Sequence, residues 1–248
     1  MKQIQINKNH IVLEGIDGCG KSTFLHYLEN DGLKRSLNPY IKKQDDVYEL
    51  YFDRSPYNEE VSKSIRASLK SSASHDVIDE ASKNRALLNL FSLDNSLHAE
   101  DLNKIFESNR SLVVTDRYFP STYAYQSLNN PKDNVLDAIK SSNVSLPGLI
   151  LYFDIKPEVS MERINKRGEE KELFEKLETL YNVKDNYMEF FKKIELAHSS
   201  TIIVVIDANK SITEVRSSAM QAIIDYIFMD RQTMFKSKKY KVLNSSSF

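Results

Sequence analysis

Gly15-Ile16-Asp17-Gly18-Cys19-Gly20-Lys21-Ser22 decides how the rest of this chain is read. The octet fits G-x-x-x-x-G-K-[ST]. Ile11 to Leu13, short and apolar between His10 and Glu14, reads as a buried strand before it, and Lys21 to Asn30 reads as a helix after it. Phe24, Leu25 and Leu28 fall on one face of that helix, and Gly32 is its expected stop. Strand, glycine turn and helix in this order wrap backbone N–H groups and a helix N-terminus around a phosphate. Lys21 then bridges the β and γ oxygens of a nucleoside triphosphate, and the Ser22 hydroxyl ligates Mg²⁺. Composition marks the same place, because three of the chain's six glycines lie between Gly15 and Gly20. Glycine alone takes positive φ freely and lets a ligand approach the main chain. The nucleotide-binding residues on this motif are Gly15, Ile16, Asp17, Gly18, Cys19, Gly20, Lys21, Ser22 and Thr23. Cys19 is the single cysteine, has no paired base nearby, and reads as a small filler rather than a nucleophile.

Working outward, Val47–Phe52 is a second strand closed by an Asp53-Arg54-Ser55-Pro56 turn. Leu112–Thr115, Leu149–Phe153 and Ile202–Ile206 are three more β-branched runs, each followed by an aspartate: Asp116, Asp154 and Asp207. Between them lie helical stretches. From Leu87 the apolar positions Leu90, Phe91, Leu97, Leu102 and Ile105 keep three- and four-residue spacing, and Asp94 interrupts the stripe. Five strands separated by helices imply an α/β fold with a mainly parallel sheet, helices on both faces, and ligands beyond the carboxyl ends of the strands. At 248 residues the chain fits one large domain over 1–230, followed by a basic tail over 231–248 with five basic side chains and no acid. That tail is expected to be solvated or frayed rather than an anion-binding extension.

Charge and cysteine count exclude several classes. Lys and Arg total 34 against 35 Asp and Glu, so no body-wide attraction to nucleic acid or an acidic membrane exists. One cysteine forms no internal disulfide, which points to a reducing, cytoplasmic setting, and no apolar run suits a membrane span or signal peptide. A GTPase needs N-K-x-D to read its base. None of the Asn-Lys pairs at Asn7, Asn103, Asn165 and Asn209 has Asp two residues after its lysine.

Asp116-Arg117-Tyr118, continuing Ser121-Thr122-Tyr123-Ala124-Tyr125-Gln126, resembles the thymidylate kinase family, whose third strand ends in D-R-Y/H followed by S-x-x-A-Y-Q. Leu13-Glu14-Gly15-Ile16-Asp17-Gly18 is similar to that family's F-E-G-x-D-G, and Arg54-Ser55-Pro56 sits where its R-E-P turn lies. Ile65-Arg66, the Leu88–Asn95 segment, Leu146–Asp154, and Glu158–Gly168 at the start of a lid follow in family order. The resemblance covers about residues 10 to 225.

It implies a P-loop nucleoside monophosphate kinase fold with a helical lid over about 157–180, making dTDP from dTMP with ATP and Mg²⁺, as a homodimer. A monophosphate brings its own oxyanion as nucleophile, so the protein supplies cations and positioning rather than a base. Lys21, Arg54, Arg117 and the lid residues Arg167 and Lys171 are the catalytic cations on this reading, with Arg163 on the ATP side. Asp17 would hold the acceptor's 3′-hydroxyl, Arg54 and Arg117 its phosphate, and Phe91, Asn95, Thr122 and Gln126 its base, while Tyr125 would crowd the 2′ position. Asp116 would join Ser22 on Mg²⁺.

Duller readings stand beside these. Phe91 and Tyr125 suit plain core packing, Arg117 suits an ion pair with Asp116, and a basic lid face suits solvent. The chain also departs from the family: Asn95 stands where an arginine is usual, and Leu173 where the lid has another. Two further functions therefore remain open. One is a deoxynucleoside kinase with Asp53 as general base; the other is a regulatory nucleotide-binding protein that has lost catalysis. A polynucleotide kinase is weaker, since only the tail is basic.

Overall fold

The computed structural model describes residues 6–40, 48–70, 79–107, 110–167, 176–197, 201–229, 234 and 241–242. Five parallel strands form the sheet: β1 (Ile6–Glu14), β2 (Glu49–Arg54), β3 (Ser111–Asp116), β4 (Leu146–Asp154) and β5 (Ile202–Asp207). Their spatial order is β2-β3-β1-β4-β5, and a short β6 (Lys241–Val242) adds antiparallel to β5. Each expected strand has a counterpart, but β2 runs on through Asp53 and Arg54, which the sequence reading placed in the turn, and Val47 lies outside the described residues. β3 and β4 are buried nearly end to end, as strands covered on both faces must be.

β6 corrects the expectation of a frayed tail. Val242 pairs with Val204, Lys241 pairs with Val205, and Met234 is buried, so part of this segment caps the sheet's edge.

The helices are α1 (Lys21–Tyr27), α2 (Leu33–Leu37), α3 (Glu59–Lys70), α4 (Glu80–Phe106), α5 (Phe119–Gln126), α6 (Lys132–Ser141), α7 (Pro157–Arg167), α8 (Leu177–Ala197) and α9 (Ile212–Phe228). Gly32 does not stop the first helix. The break comes earlier, where Asn30 leaves helical geometry and Asp31 takes φ 63°, and Gly32 itself is helical at φ −58° and leads into α2. Its lack of a side chain serves close packing, since a Cβ there would stand 2.4 Å from the Tyr27 carbonyl oxygen.

Register sets the level of the functional residues. Leu13 and Arg54 both pair with Asp116, and Asp154 pairs with Asp207, so the strand ends form one rim. β1 lies centrally between β3 and β4; the chain leaves it for β2 on one side and after β3 crosses over it to β4 on the other, so the loop after β1 sits at the crevice where such sheets bind ligands.

Candidate active site

The loop between β1 and α1 takes positive φ at Gly15 (143°), Gly18 (76°) and Gly20 (102°). At Gly15 a Cβ would lie 2.7 Å from the Phe153 carbonyl oxygen, and at Gly18 it would lie 2.9 Å from Ser160, so the loop is wedged between β4 and α7. Ser160 Oγ adds a hydrogen bond to the Asp17 carbonyl oxygen. Inside the loop, Lys21 is buried and its Nζ donates to the carbonyl oxygens of Gly15 at 2.8 Å and Ile16 at 3.1 Å. Cys19 Sγ, buried and 3.3 Å from the same nitrogen, fills the loop's inner wall, as its small-filler reading requires.

Two cavities flank this loop. One, of about 300 Å³, is lined by Asp17, Ser55, Pro56, Arg66, Phe91, Asn95, Arg117, Thr122, Tyr125 and Gln126 among others. The other, of about 320 Å³, is lined by Gly18, Cys19, Gly20, Thr23, Phe24, Arg163 and the first turn of α9 with Lys210, Ile212 and Arg216. Consecutive residues of one loop thus face two separate spaces.

In the first cavity Arg117 is the centre. It takes φ 70°, an unfavourable conformation for a side-chain-bearing residue, while its backbone N–H extends the sheet by bonding Leu13 O at 2.9 Å. Its NH2 contacts Asp17 Oδ1 and lies 3.3 Å from the Tyr125 hydroxyl, which donates to Asp17 Oδ2 at 2.8 Å. Burial works against the guanidinium charge, but the carboxylates of Asp17 and Asp116 outweigh it and Arg117 stays cationic. Its contact ion pair is with Asp17, not Asp116.

Asp116 instead accepts from the Ser22 hydroxyl at 2.6 Å, and its other oxygen is buried with no hydrogen-bond partner among the described residues. A hydroxyl beside a carboxylate with an unspent oxygen is the hard-donor set that suits Mg²⁺ sharing its remaining positions with phosphates and water.

At the deep end, Asn95 is buried on α4 and its Nδ2 donates to Thr122 Oγ1 at 3.0 Å. Gln126 is buried too, and its Nε2 has no partner among the described residues. Phe91 is half-buried and lines the cavity while packing against the core, so its two sequence readings are compatible. Asp94, the polar break in the stripe, accepts the backbone N–H groups of Tyr57 (2.8 Å) and Asn58 (2.8 Å). It thereby fixes the turn carrying Ser55 and Pro56 to the cavity wall.

Not every expected residue gathers here. Arg54 ends β2 beside Asp116, yet its side chain is 62% exposed and contacts Glu29 at 3.4 Å rather than lining the cavity. Asp53 also stands outside the lining, 3.6 Å from His98 Nε2, and burial raises its pKa to about 6 against the opposing Arg54 N–H. Arg167 ends α7 and its side chain, like Lys171, Leu173 and most of the expected lid between α7 and α8, lies outside the described residues. Arg163 does reach the second cavity, donating to the Ala208 carbonyl oxygen at 3.0 Å.

A sequence model of the thymidylate kinase family matches residues 13–219. The chain belongs to the thymidylate kinase family. It is 34% identical over 222 residues to a probable thymidylate kinase of Methanosarcina mazei, covering 88% of this chain and 96% of the relative. It is 30% identical over 228 residues to a thymidylate kinase of Trichodesmium erythraeum, covering 86% and 93%. Membership makes the chain a kinase, and the reaction of thymidylate kinases is the phosphorylation of dTMP. Among the described residues no helix is long and apolar enough to cross a membrane.

Sequence reasoning gave no role to three residues of this thymidylate kinase site. Glu14 is fully buried, and its carboxylate accepts the Tyr118 N–H, the Ser121 hydroxyl and the Tyr187 hydroxyl. Glu14 and Ser121 sit inside quoted motifs, but Tyr187 looked like one more aromatic on the buried stripe Leu180, Val183, Tyr187, Phe190, Phe191, Ile194.

Proposed function

We propose that this thymidylate kinase moves the γ-phosphoryl group of ATP to dTMP, with the acceptor in the Asp17–Gln126 cavity and the donor in the Gly18–Arg216 cavity. The observation that carries this is the shared loop: Asp17 lines one cavity and Gly18, Cys19 and Gly20 line the other, so a phosphoryl group can pass between ligands on either side. Lys21 and the loop N–H groups hold the donor phosphates, and Arg117 holds the acceptor phosphate. Asp17 serves the 3′-hydroxyl, and Tyr125, bonded to it, closes the space a 2′-hydroxyl would need. Ser22 and Asp116, joined by a hydrogen bond, would hold Mg²⁺, which would supply charge neutralisation at the phosphates. Arg54, Arg167 and Lys171 are proposed to add cations on closure around the substrates. The same reading takes the protein as a cytoplasmic homodimer, on the single cysteine and the family resemblance.

A nucleoside acceptor requires a base near its 5′-hydroxyl, and Asp53 faces His98 instead of the cavity. An ADP-release assay with ATP, Mg²⁺ and, in parallel, dTMP, dUMP, dCMP, dGMP, UMP and thymidine tests the proposal. Preferential turnover of dTMP is expected. Turnover of thymidine alone would move the chemistry to Asp53, and ATP binding with no acceptor-dependent turnover would replace catalysis by regulation.

A further inference from the structure

Arg117 has two sides. NH2 faces Asp17 and the cavity, where an incoming phosphate must compete for it. NH1 points back into the protein, donating to Ser121 Oγ at 3.1 Å and the Gly15 carbonyl oxygen at 3.3 Å, with the Tyr187 hydroxyl oxygen at 3.4 Å. Those two hydroxyls are hydrogen-bonded to each other at 2.7 Å and both reach one oxygen of Glu14, at 2.6 Å and 2.9 Å, so their two protons are shared over three contacts. Each hydroxyl has one proton, spent on Glu14 or on its neighbour, which leaves lone pairs of both facing the guanidinium. The second Glu14 oxygen is fixed by the Tyr118 N–H at 2.9 Å. A fully buried carboxylate thus orients two hydroxyls, and they orient one nitrogen of the arginine.

We infer that Tyr187 is a positioning residue: with Ser121 it relays the buried Glu14 carboxylate to Arg117 and keeps the guanidinium aimed at the acceptor phosphate. This rests on the reading of Arg117 as the phosphate ligand. Anchoring NH1 lets NH2 exchange Asp17 for phosphate without the side chain swinging away. The relay joins β1, α5 and α8, three elements far apart in sequence, and buried networks of this kind are strong only when every member is satisfied. The Tyr187 ring packs on Tyr152 and Phe191 (5.5 and 5.7 Å between centroids) whether or not it carries a hydroxyl, so the relay can be cut without removing the ring.

The test is Tyr187→Phe, alone and combined with Arg117→Lys, in steady-state turnover of dTMP and ATP. Tyr187→Phe is expected to lower kcat/KM for dTMP about tenfold and leave the KM for ATP unchanged. On the Arg117→Lys background it should add less than about a twofold loss, because the relay then has no guanidinium to aim. Wild-type kinetics in Tyr187→Phe, or a full loss added to that of Arg117→Lys, would overturn the inference. Should Tyr187→Phe fail to fold, Glu14→Gln must show the same non-additivity. If the unaltered protein turns over no dTMP, the functional reading fails first and the relay falls with it.

Discussion

The two cavities are nearly equal in size and built in opposite ways. On the acceptor side the polar groups come from the interior of α4 and from α5, where Asn95, Thr122 and Gln126 are buried, and Arg117 is held from both sides. On the donor side the cations come from the start of α9 and from α7. Lys210 is exposed, Arg163 and Arg216 are half-buried, and Ile212 is 59% exposed. Side chains locked by packing hold a ligand to a narrow geometry, whereas those on exposed helix ends adapt. On the proposed assignment, selectivity falls on the acceptor side, while on the donor side only the buried Lys21 and the phosphate loop are held as firmly.

The sharpest way to break the contrast is to remove what both sides share. Lys21→Met takes away the cation inside the loop, and turnover should fall on the order of a thousandfold whichever substrate is saturating. A loss confined to the KM for ATP would mean that Lys21 belongs to the donor side only.

Asn95 tests the acceptor side alone. Asn95→Ala removes a buried amide and strips Thr122 Oγ1 of its donor. A buried group left unpaired loses about as much as its desolvation cost, so kcat/KM for dTMP should drop about tenfold with ATP kinetics unchanged. Discrimination between dTMP and dCMP should narrow, because the two bases differ at the edge an amide can read. Unchanged discrimination would show that Asn95 only packs.

Arg216 tests the donor side. Its guanidinium lies 4.1 Å from the centroid of the Tyr27 ring, and Arg216→Ala should raise the KM for ATP only about threefold, in line with a partly exposed cation–π contact. A loss as large as that of Asn95→Ala would show the donor side to be as rigid as the acceptor side.

The same contrast decides what the sequence made legible. The phosphate loop could be read because its glycines and Lys21 are local, and the strands because short β-branched runs end on aspartates. Asp94 was visible as an anomaly in a helical stripe, though its partners, Tyr57 and Asn58, lie 37 and 36 positions away and only the fold brings them together. Tyr187 was invisible, since a buried tyrosine at helical spacing is identical in pattern whether its hydroxyl is idle or bonded to a residue 173 positions away. Gly32 misled for a related reason: its role is a close contact with Tyr27, and the Asn30–Asp31 break before it carries no glycine. The tail misled through its composition, because strand pairing with β5 depends on backbone that charge does not report.

The smallest effect concerns the wall behind the acceptor cavity and appears in stability. His98 is fully buried, stacked on Tyr57 at 4.3 Å and edge-on to Tyr118 at 5.5 Å; its Nδ1 is 3.4 Å from Ser55 Oγ and its Nε2 is 3.6 Å from Asp53 Oδ2. Burial lowers its pKa to about 4, with Asp101 opposing, so at neutral pH the folded ring is uncharged. Between about pH 4 and the unfolded value of 6.5, the unfolded chain binds a proton at His98 that the folded chain refuses, and stability rises with pH. Asp53 acts in reverse: burial raises it from 3.8 to about 6, the folded chain keeps its proton longer, and its contribution falls as pH rises through that window. His98→Gln should flatten the climb of Tm across this window, leaving His10, lowered to about 3 by burial, as a remaining source of the rise. Asp53→Asn should steepen it. Thermal melts at intervals from pH 4 to 7 distinguish the two. An unchanged slope in His98→Gln would mean that this ring keeps its proton when folded and faces Asp53, behind Ser55 and Pro56, as an imidazolium.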